Sequence, residues 1–172
     1  MSTPITLAEL NGLSAADFIS LLGGIFEHSP WVAEQVQAQR PFSSVVALHD
    51  AMVACVEAAQ PQAQLDLIGA HPELAGKAAV RGDLTLDSAR EQAGAGLALC
   101  SPEEYRTLTN LNRAYRQKFG FPFILAVHGY DRAGIIGQME RRLLLEPAQE
   151  RSENLRQIYK IARLRLDGLI QA

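Results

Sequence analysis

Ser43-Ser44-Val45-Val46-Ala47-Leu48-His49-Asp50-Ala51-Met52-Val53-Ala54-Cys55-Val56-Glu57-Ala58-Ala59 is the stretch that decides the fold class. Val45, Leu48, Met52, Cys55, Val56 and Ala59 recur at steps of three and four, which lines one face of a helix and cannot alternate across a strand. The same reading extends in both directions. Upstream, Ser14 caps a helix through Leu22, and Gly23-Gly24 interrupts or ends it, with Phe26-Glu27-His28 continuing to a stop at Ser29-Pro30. Trp31 to Gln39 is a further helix with Pro30 in its first turn, broken by Arg40-Pro41-Phe42. Downstream, Gln62 to Ala70 reads as the end of a helix, with Leu65 and Ile68 on its apolar face.

Ala75 to Asp83 is small and glycine-containing, a loop or short helix. Thr85 or Asp87 then caps a helix expected to reach Leu99. Ser101-Pro102-Glu103-Glu104 is a start signal with a capping box, opening a helix to about Lys118 that partly buries Tyr105, Leu108, Leu111, Asn112 and Tyr115. Asp131 to Leu145 and Pro147 to Leu169 are helical by period. Phe119 to Gly129 differs in kind. Its continuous apolar run Phe123-Ile124-Leu125-Ala126-Val127 reads as one buried extended segment, whose amides need partners from elsewhere. No alternating run and no Asn-Gly hairpin suggests a sheet. The expected fold is therefore all-α: a single-domain bundle of about eight helices over residues 1–172.

Composition excludes several classes of function. With 48% apolar and 20% charged residues the chain can bury a core and is not of disordered type. A net charge of −3, without a dense basic block, argues against nucleic-acid binding. No apolar run approaches the roughly 20 residues that span a membrane, the start Met1-Ser2-Thr3-Pro4 lacks signal-peptide character, and Leu169-Ile170-Gln171-Ala172 is not a peroxisomal signal. Cys55 and Cys100 show no framework spacing, which fits reduced thiols and a cytoplasmic address.

Three places could carry chemistry. In Leu67-Ile68-Gly69-Ala70-His71-Pro72, the proline pushes His71 out of the α region, so the helix should stop there. An imidazole beside C-terminal helix carbonyls is favoured in its protonated form and can serve as a general acid; the plainer alternative is a histidine that only ends the helix. Ser88, Glu91 and Gln92 share a helical face at i, i+3 and i+4, forming either a polar pocket wall or, as Ser88-x-x-Glu91, a capping box. Arg165 falls on the apolar stripe Leu155, Ile158, Ile161, Ala162, Leu166 and Leu169, whereas Arg163 lies on the solvated side. Such an arginine faces a buried carboxylate or an anionic ligand, or else snorkels at an interface. His28, His49, His71 and His128 form no metal-binding spacing, and no phosphate loop or nucleophile elbow is present. By elimination, an enzyme built from these residues would be a cofactor-free acid–base catalyst acting on a small anion.

The motifs Glu27-His28-Ser29-Pro30-Trp31, Arg40-Pro41-Phe42, Ala70-His71-Pro72-Glu73-Leu74-Ala75-Gly76, Ser88 to Leu97, Leu111-Asn112, Tyr115, Lys118 to Phe123 and Ile161 to Leu166 occur in order along nearly the whole chain. Together they resemble the 2-oxo-4-hydroxy-4-carboxy-5-ureidoimidazoline (OHCU) decarboxylase family of urate degradation. The resemblance implies an all-α, cofactor-independent homodimer that turns OHCU into (S)-allantoin and carbon dioxide. It implies His71 as catalytic acid with Glu91 beside it. It also implies a substrate pocket drawn from Pro72, Ser88, Gln92 and Arg165, together with the backbone of Phe123, Ile124, Leu125, Ala126 and Val127. No metal, nucleic acid or membrane is implied. The competing expectation from another class is a helical module that holds a small anion with Arg165 and does no chemistry.

Overall fold

Thr6, Ser14, Ser44, Thr85, Ser101 and Asp131 each accept a main-chain N–H from the first turn of the helix that they precede. Each thereby satisfies a donor that the helix itself leaves orphaned. The computed structural model describes residues 4–171. Within them the chain forms ten α-helices and one pair of two-residue strands. In order these are β1 (Ile5–Thr6), α1 (Leu7–Gly12), α2 (Ala15–Leu22), α3 (Trp31–Val36), α4 (Val45–Glu57), α5 (Pro61–Ala70), α6 (Lys77–Arg81), α7 (Leu86–Gly94), α8 (Pro102–Phe119), α9 (Arg132–Arg142), α10 (Pro147–Leu169) and β2 (Ile170–Gln171). The all-α class expected from the periodicity is borne out. Three of the ten helices, α1, α3 and α6, have six residues or fewer. The expected readings of Met1–Pro4 and Leu169–Ala172 reach residues 1–3 and 172, which lie outside the described residues.

The contacts divide the chain into two compact units, Met1–Ala70 with Tyr159–Ala172, and His71–Ile158. In the first, β1 pairs in parallel with β2, Ile5 opposite Ile170. Helix α3 lies against both α2 and α4. Leu10, Phe18, Val36, Leu48, Met52, Val56, Ile68 and Leu166 are inaccessible to solvent, each such side chain contributing about 1.5–3 kcal/mol of transfer free energy. Phe42 follows the expected break, and a side chain supplies its backbone partners. Asn11 Nδ2 donates to the Phe42 carbonyl at 2.9 Å, and Asn11 Oδ1 accepts from the Phe42 N–H at 2.8 Å.

In the second unit α8 packs along α9. Gly120, at φ +79°, ends α8 in the left-handed conformation that glycine reaches without steric cost. Lys118 Nζ donates to the Leu143 and Leu145 carbonyls at 2.7 and 2.9 Å, neutralising the C-terminal end of α9. Tyr115 gathers Phe119, Phe121 and Phe123 around it at centroid distances of 4.6, 6.1 and 5.4 Å. These offset and edge-on contacts favour specific ring geometry beyond simple burial.

Several local expectations need correction. Residues 23–28 form turns rather than a continued helix, and His28 takes a left-handed φ of 46°. The helix expected to reach Leu99 stops at Gly94. Gly96 at φ +75° turns the chain into a short 3-10 segment, Leu97–Leu99. Tyr105, in the first turn of α8, is exposed, whereas Leu108, Asn112, Tyr115 and Phe119, which follow it on the same face at steps of three and four, are buried. Helix α1 was not expected, although Thr6-Leu7-Ala8-Glu9 carries a capping box that forms: Glu9 N donates to Thr6 Oγ1, and Thr6 N donates to the Glu9 carboxylate.

Candidate active site

Helix α5 ends at Ala70, as Pro72 requires, and His71 follows it in the bend, 6% exposed. The loop after it is held from three sides within the second unit. Gln92 Oε1 accepts from Ala75 N at 3.0 Å, while its Nε2 reaches the Glu73 carbonyl at 3.4 Å. Asn112 Nδ2 donates to the Leu74 carbonyl at 2.9 Å, and Arg116 Nε donates to Glu73 Oε1 at 2.9 Å. Ala75 sits at φ +50°, a strained position for a residue with a Cβ, and these bonds maintain it. At Gly76 a Cβ would come within 2.7 Å of Glu73 Cβ, so the turn tolerates no side chain there. The segment carrying His71 and half-buried Pro72 is thus preorganised by α7 and α8.

Helix α7 presents Ser88, Glu91 and Gln92 on one face. Ser88 and Gln92 are buried and Glu91 is half-buried. The cap of α7 is Thr85, whose Oγ1 accepts from Ser88 N at 3.3 Å. Ser88 therefore lies inside the helix, and the capping-box alternative for Ser88-x-x-Glu91 falls away. That leaves a buried polar stripe, one member of which, Gln92, ties α7 to the His71 loop.

Phe121 to Val127 is extended, buried apart from half-buried Ala126, and unpaired with any strand. Side chains from elsewhere meet several of its backbone groups, as the apolar run required. Ile124 N donates to Asn154 Oδ1 at 3.1 Å, and Ala126 N to Gln157 Oε1 at 3.0 Å. Asn154 Nδ2 donates to the Pro122 carbonyl at 3.1 Å, and Arg142 Nη1 to the Ile124 carbonyl at 2.6 Å. Arg142, Glu150 and Asn154 are fully buried. Arg142 Nε donates to Glu150 Oε1 at 2.6 Å, Nη2 contacts the same oxygen, and Nη2 also donates to Asn154 Oδ1 at 2.7 Å. Tyr115 Oη donates to Glu150 Oε1 at 2.5 Å; burial first, and this bond second, hold its hydroxyl far above the ordinary tyrosine range, so it stays a donor. Sequence reasoning missed this network. Its signal was present: Ile135, Met139 and Arg142 fall at i, i+4 and i+7 on the buried stripe of α9, the same pattern that marked Arg165.

In the first unit, Arg165 on α10 is buried and meets a protein carboxylate, one of the partners that its place on the apolar stripe called for. Its Nη1 lies 2.8 Å from Glu27 Oε2, and also donates to the Gly24 and Ile25 carbonyls at 3.2 and 3.4 Å. Glu27, in the turns after α2, is the partner that sequence reasoning did not name; a lone acid after Gly24-Ile25-Phe26 was its signal. Arg163 pairs at i, i+4 with exposed Asp167, as the solvated face predicts.

Of the other histidines, His49 Nε2 bonds to the Tyr159 carbonyl at 2.8 Å, and His28 and His128 are exposed. Among the described residues no group of three or more His, Cys, Asp or Glu side chains is arranged to hold a metal. A cavity of 540 Å³ in the second unit is lined by Ala75, Ala79, Leu84, Gln92, Leu97 and Tyr105, among others. Its walls are too apolar for a polar anion.

The sequence profile of the OHCU decarboxylase family matches residues 11–167. The 2-oxo-4-hydroxy-4-carboxy-5-ureidoimidazoline decarboxylase of Haloferax volcanii is 42% identical over 162 residues, 94% of each chain. The uric acid degradation bifunctional protein PucL of Bacillus subtilis is 43% identical over 165 residues, 96% of this chain but 33% of that protein. Among solved structures, a crystal structure of (S)-allantoin synthase superposes with a TM-score of 0.79 at 32% identity, covering 98% of this chain and 54% of that one. With the match running from α1 into the last turns of α10, this chain belongs to the OHCU decarboxylase family.

Proposed function

We propose that this protein decarboxylates OHCU to (S)-allantoin in urate degradation, with stereospecific protonation and without a cofactor. The observation that carries this reading is the 42% identity to a decarboxylase of that name along 94% of both chains. The buried His71 segment, held by Gln92 and Asn112, agrees with it. In the proposed reaction the bond from the ring carbon to its carboxylate breaks and carbon dioxide leaves. The electron pair forms a double bond to the adjacent ureido-bearing carbon, whose C=N electrons move onto the ring nitrogen as it takes up a proton. The hydroxyl on the former carboxylate carbon then gives up its proton and becomes the ring carbonyl. Protonated His71 delivers its proton to one face of the ureido-bearing carbon, which sets the S configuration, and the hydroxyl proton, by way of solvent, restores the imidazolium. Help of this kind is typically worth about 10²–10⁴-fold.

Glu91 stabilises the imidazolium of His71 and, with Gln92, orients the ring and ureido arm. Pro72 and Ser88 complete the pocket wall. The backbone of Phe123, Ile124, Leu125, Ala126 and Val127 offers amides to substrate oxygens. Arg165 holds an anionic or carbonyl oxygen; Glu27 fixes the orientation of its guanidinium, whose five N–H donors can serve more than one acceptor. We further infer that residues 1–172 act as a single functional domain, supported by one family match over residues 11–167. The chain is proposed to work as a homodimer, on the strength of the family resemblance. A cytoplasmic address is supported by two free thiols. Among the described residues no helix is long and apolar enough to cross a membrane.

The test is circular dichroism of OHCU freshly generated from urate, with and without the protein, in the presence of a chelator. Rapid growth of an (S)-allantoin signal is expected. Slow racemic decay at the spontaneous rate would reject the reading in favour of an anion-binding module. Sedimentation equilibrium of the same sample should return twice the chain mass.

A further inference from the structure

Alternate amides of an extended chain point to opposite sides. In the run Phe123 to Val127, the amides of Ile124 and Ala126 point at α10, where Asn154 and Gln157 receive them. The amide of Leu125 must therefore point away from α10, and among the described residues it has no protein acceptor. Which amides face outward depends on this register alone; a slip of one residue would turn Ile124 and Ala126 outward instead. Among the described residues no neighbouring strand sets the register. Asn154 and Gln157, three residues apart on α10, replace one: Asn154 bonds both the Ile124 N–H and the Pro122 carbonyl, as the backbone of an adjacent strand would. Each is itself fixed. Arg142 Nη2 holds Asn154 Oδ1 at 2.7 Å, and Gln157 Nε2 donates to Glu153 Oε1 at 2.7 Å.

We propose that Asn154 and Gln157 are positioning residues for the reaction, setting the register that presents the Leu125 amide to a substrate oxygen. This rests on the proposed decarboxylase activity and adds to it residues that touch no reacting atom. Asn154 lies at the centre of the buried network, so its removal threatens folding, and Gln157 is the residue to test. Gln157→Met keeps the length and apolar stem but removes the acceptor for Ala126 N–H. The double exchange Glu153→Gln with Gln157→Glu restores an acceptor at 157 and keeps a donor–acceptor pair between the two positions.

The experiment measures KM and kcat for OHCU together with hydrogen exchange at the Ala126 amide, in wild type and both variants. Gln157→Met is expected to speed Ala126 exchange and raise KM about tenfold, the scale of one hydrogen bond to a charged group, with kcat little changed. The double exchange should return both quantities towards wild type. Faster Ala126 exchange with KM unchanged would overturn the inference, since the bond would then serve stability alone. Unchanged exchange would overturn it as well, because Gln157 would not be holding the segment. These failures are distinct from that of the activity itself, which would appear as absence of turnover in the wild type.

Discussion

Arg142 has no solvent route for its charge, so the groups it bonds, Glu150, Asn154 and the Ile124 carbonyl, decide what its loss does. Arg142→Met would strand Glu150 as an uncompensated buried carboxylate and release Asn154, and should destabilise the fold by about 3–5 kcal/mol. Arg142→Met with Glu150→Leu removes both charges and should recover much of that loss; urea denaturation of the two variants measures the difference. The same reasoning at His71 predicts an effect on chemistry rather than stability. His71→Asn keeps a polar side chain in the bend but removes the acid. It should lower turnover by about 10²–10⁴-fold, with loss of stereospecificity by circular dichroism and an unchanged melting temperature. Unchanged turnover and stereochemistry would remove His71 from the mechanism. Both residues were open to sequence reading, though only one was found: His71 was flagged by its proline, while Arg142 went unnoticed despite its place on an apolar stripe.

Helix α7 separates capping from the proposed binding wall within four residues. Thr85→Ala should cost about 1 kcal/mol by removing the cap bond to Ser88 N, with little change in KM. Ser88→Ala should do the reverse, raising KM while thermal unfolding moves little. If Ser88→Ala were the more destabilising of the two and left KM intact, its place in the pocket would be lost. Helix starts were legible because capping is local: Ser14, Ser101 and Asp131 precede helices that begin where their side chains dictate. The end of α7 was less legible. Helix formers surround Gly94 and Gly96 in Glu91 to Leu99, but α7 ends at Gly94, and Gly96 takes a left-handed turn into a 3-10 segment. Arg132 Nη1 reaches the Gly96 carbonyl at 3.2 Å, a contact 36 residues distant that no local pattern encodes.

At the scale of the whole molecule, pH tests two tyrosine hydroxyls, buried Tyr115 and half-buried Tyr159. Burial, and secondarily Glu57, push Tyr159 up to about 12; burial and the bond to Glu150 raise Tyr115 further. The unfolded chain releases these protons near pH 10, so the native state holds protons that the unfolded state has lost. The stability they contribute is complete below about pH 10 and is lost as pH rises towards 12. Melting temperature should therefore fall across that window, and Tyr159→Phe should flatten part of the fall; an identical slope in the variant would contradict the assignment. The exposed pairs Arg81–Asp83 and Arg163–Asp167 should add little to this profile, and salt should screen them.

What the sequence by itself determined is whatever depends on neighbours three or four residues away. This includes the helical class, the starts of α2, α4, α8 and α9, the stop before His71, the shared face of Ser88, Glu91 and Gln92, and the need of Arg165 for a partner. It also required that the run Phe123 to Val127 find its hydrogen bonds elsewhere. Only the tertiary structure decided where those demands were met: Glu27 for Arg165 across 138 residues, Asn154 and Gln157 for the extended run, and Gln92 for the loop after His71. The physical reason is that helix formation is settled by hydrogen bonds within a turn. A buried charge or an unpaired amide states only that it must be satisfied, and any donor or acceptor that folding brings close can answer it.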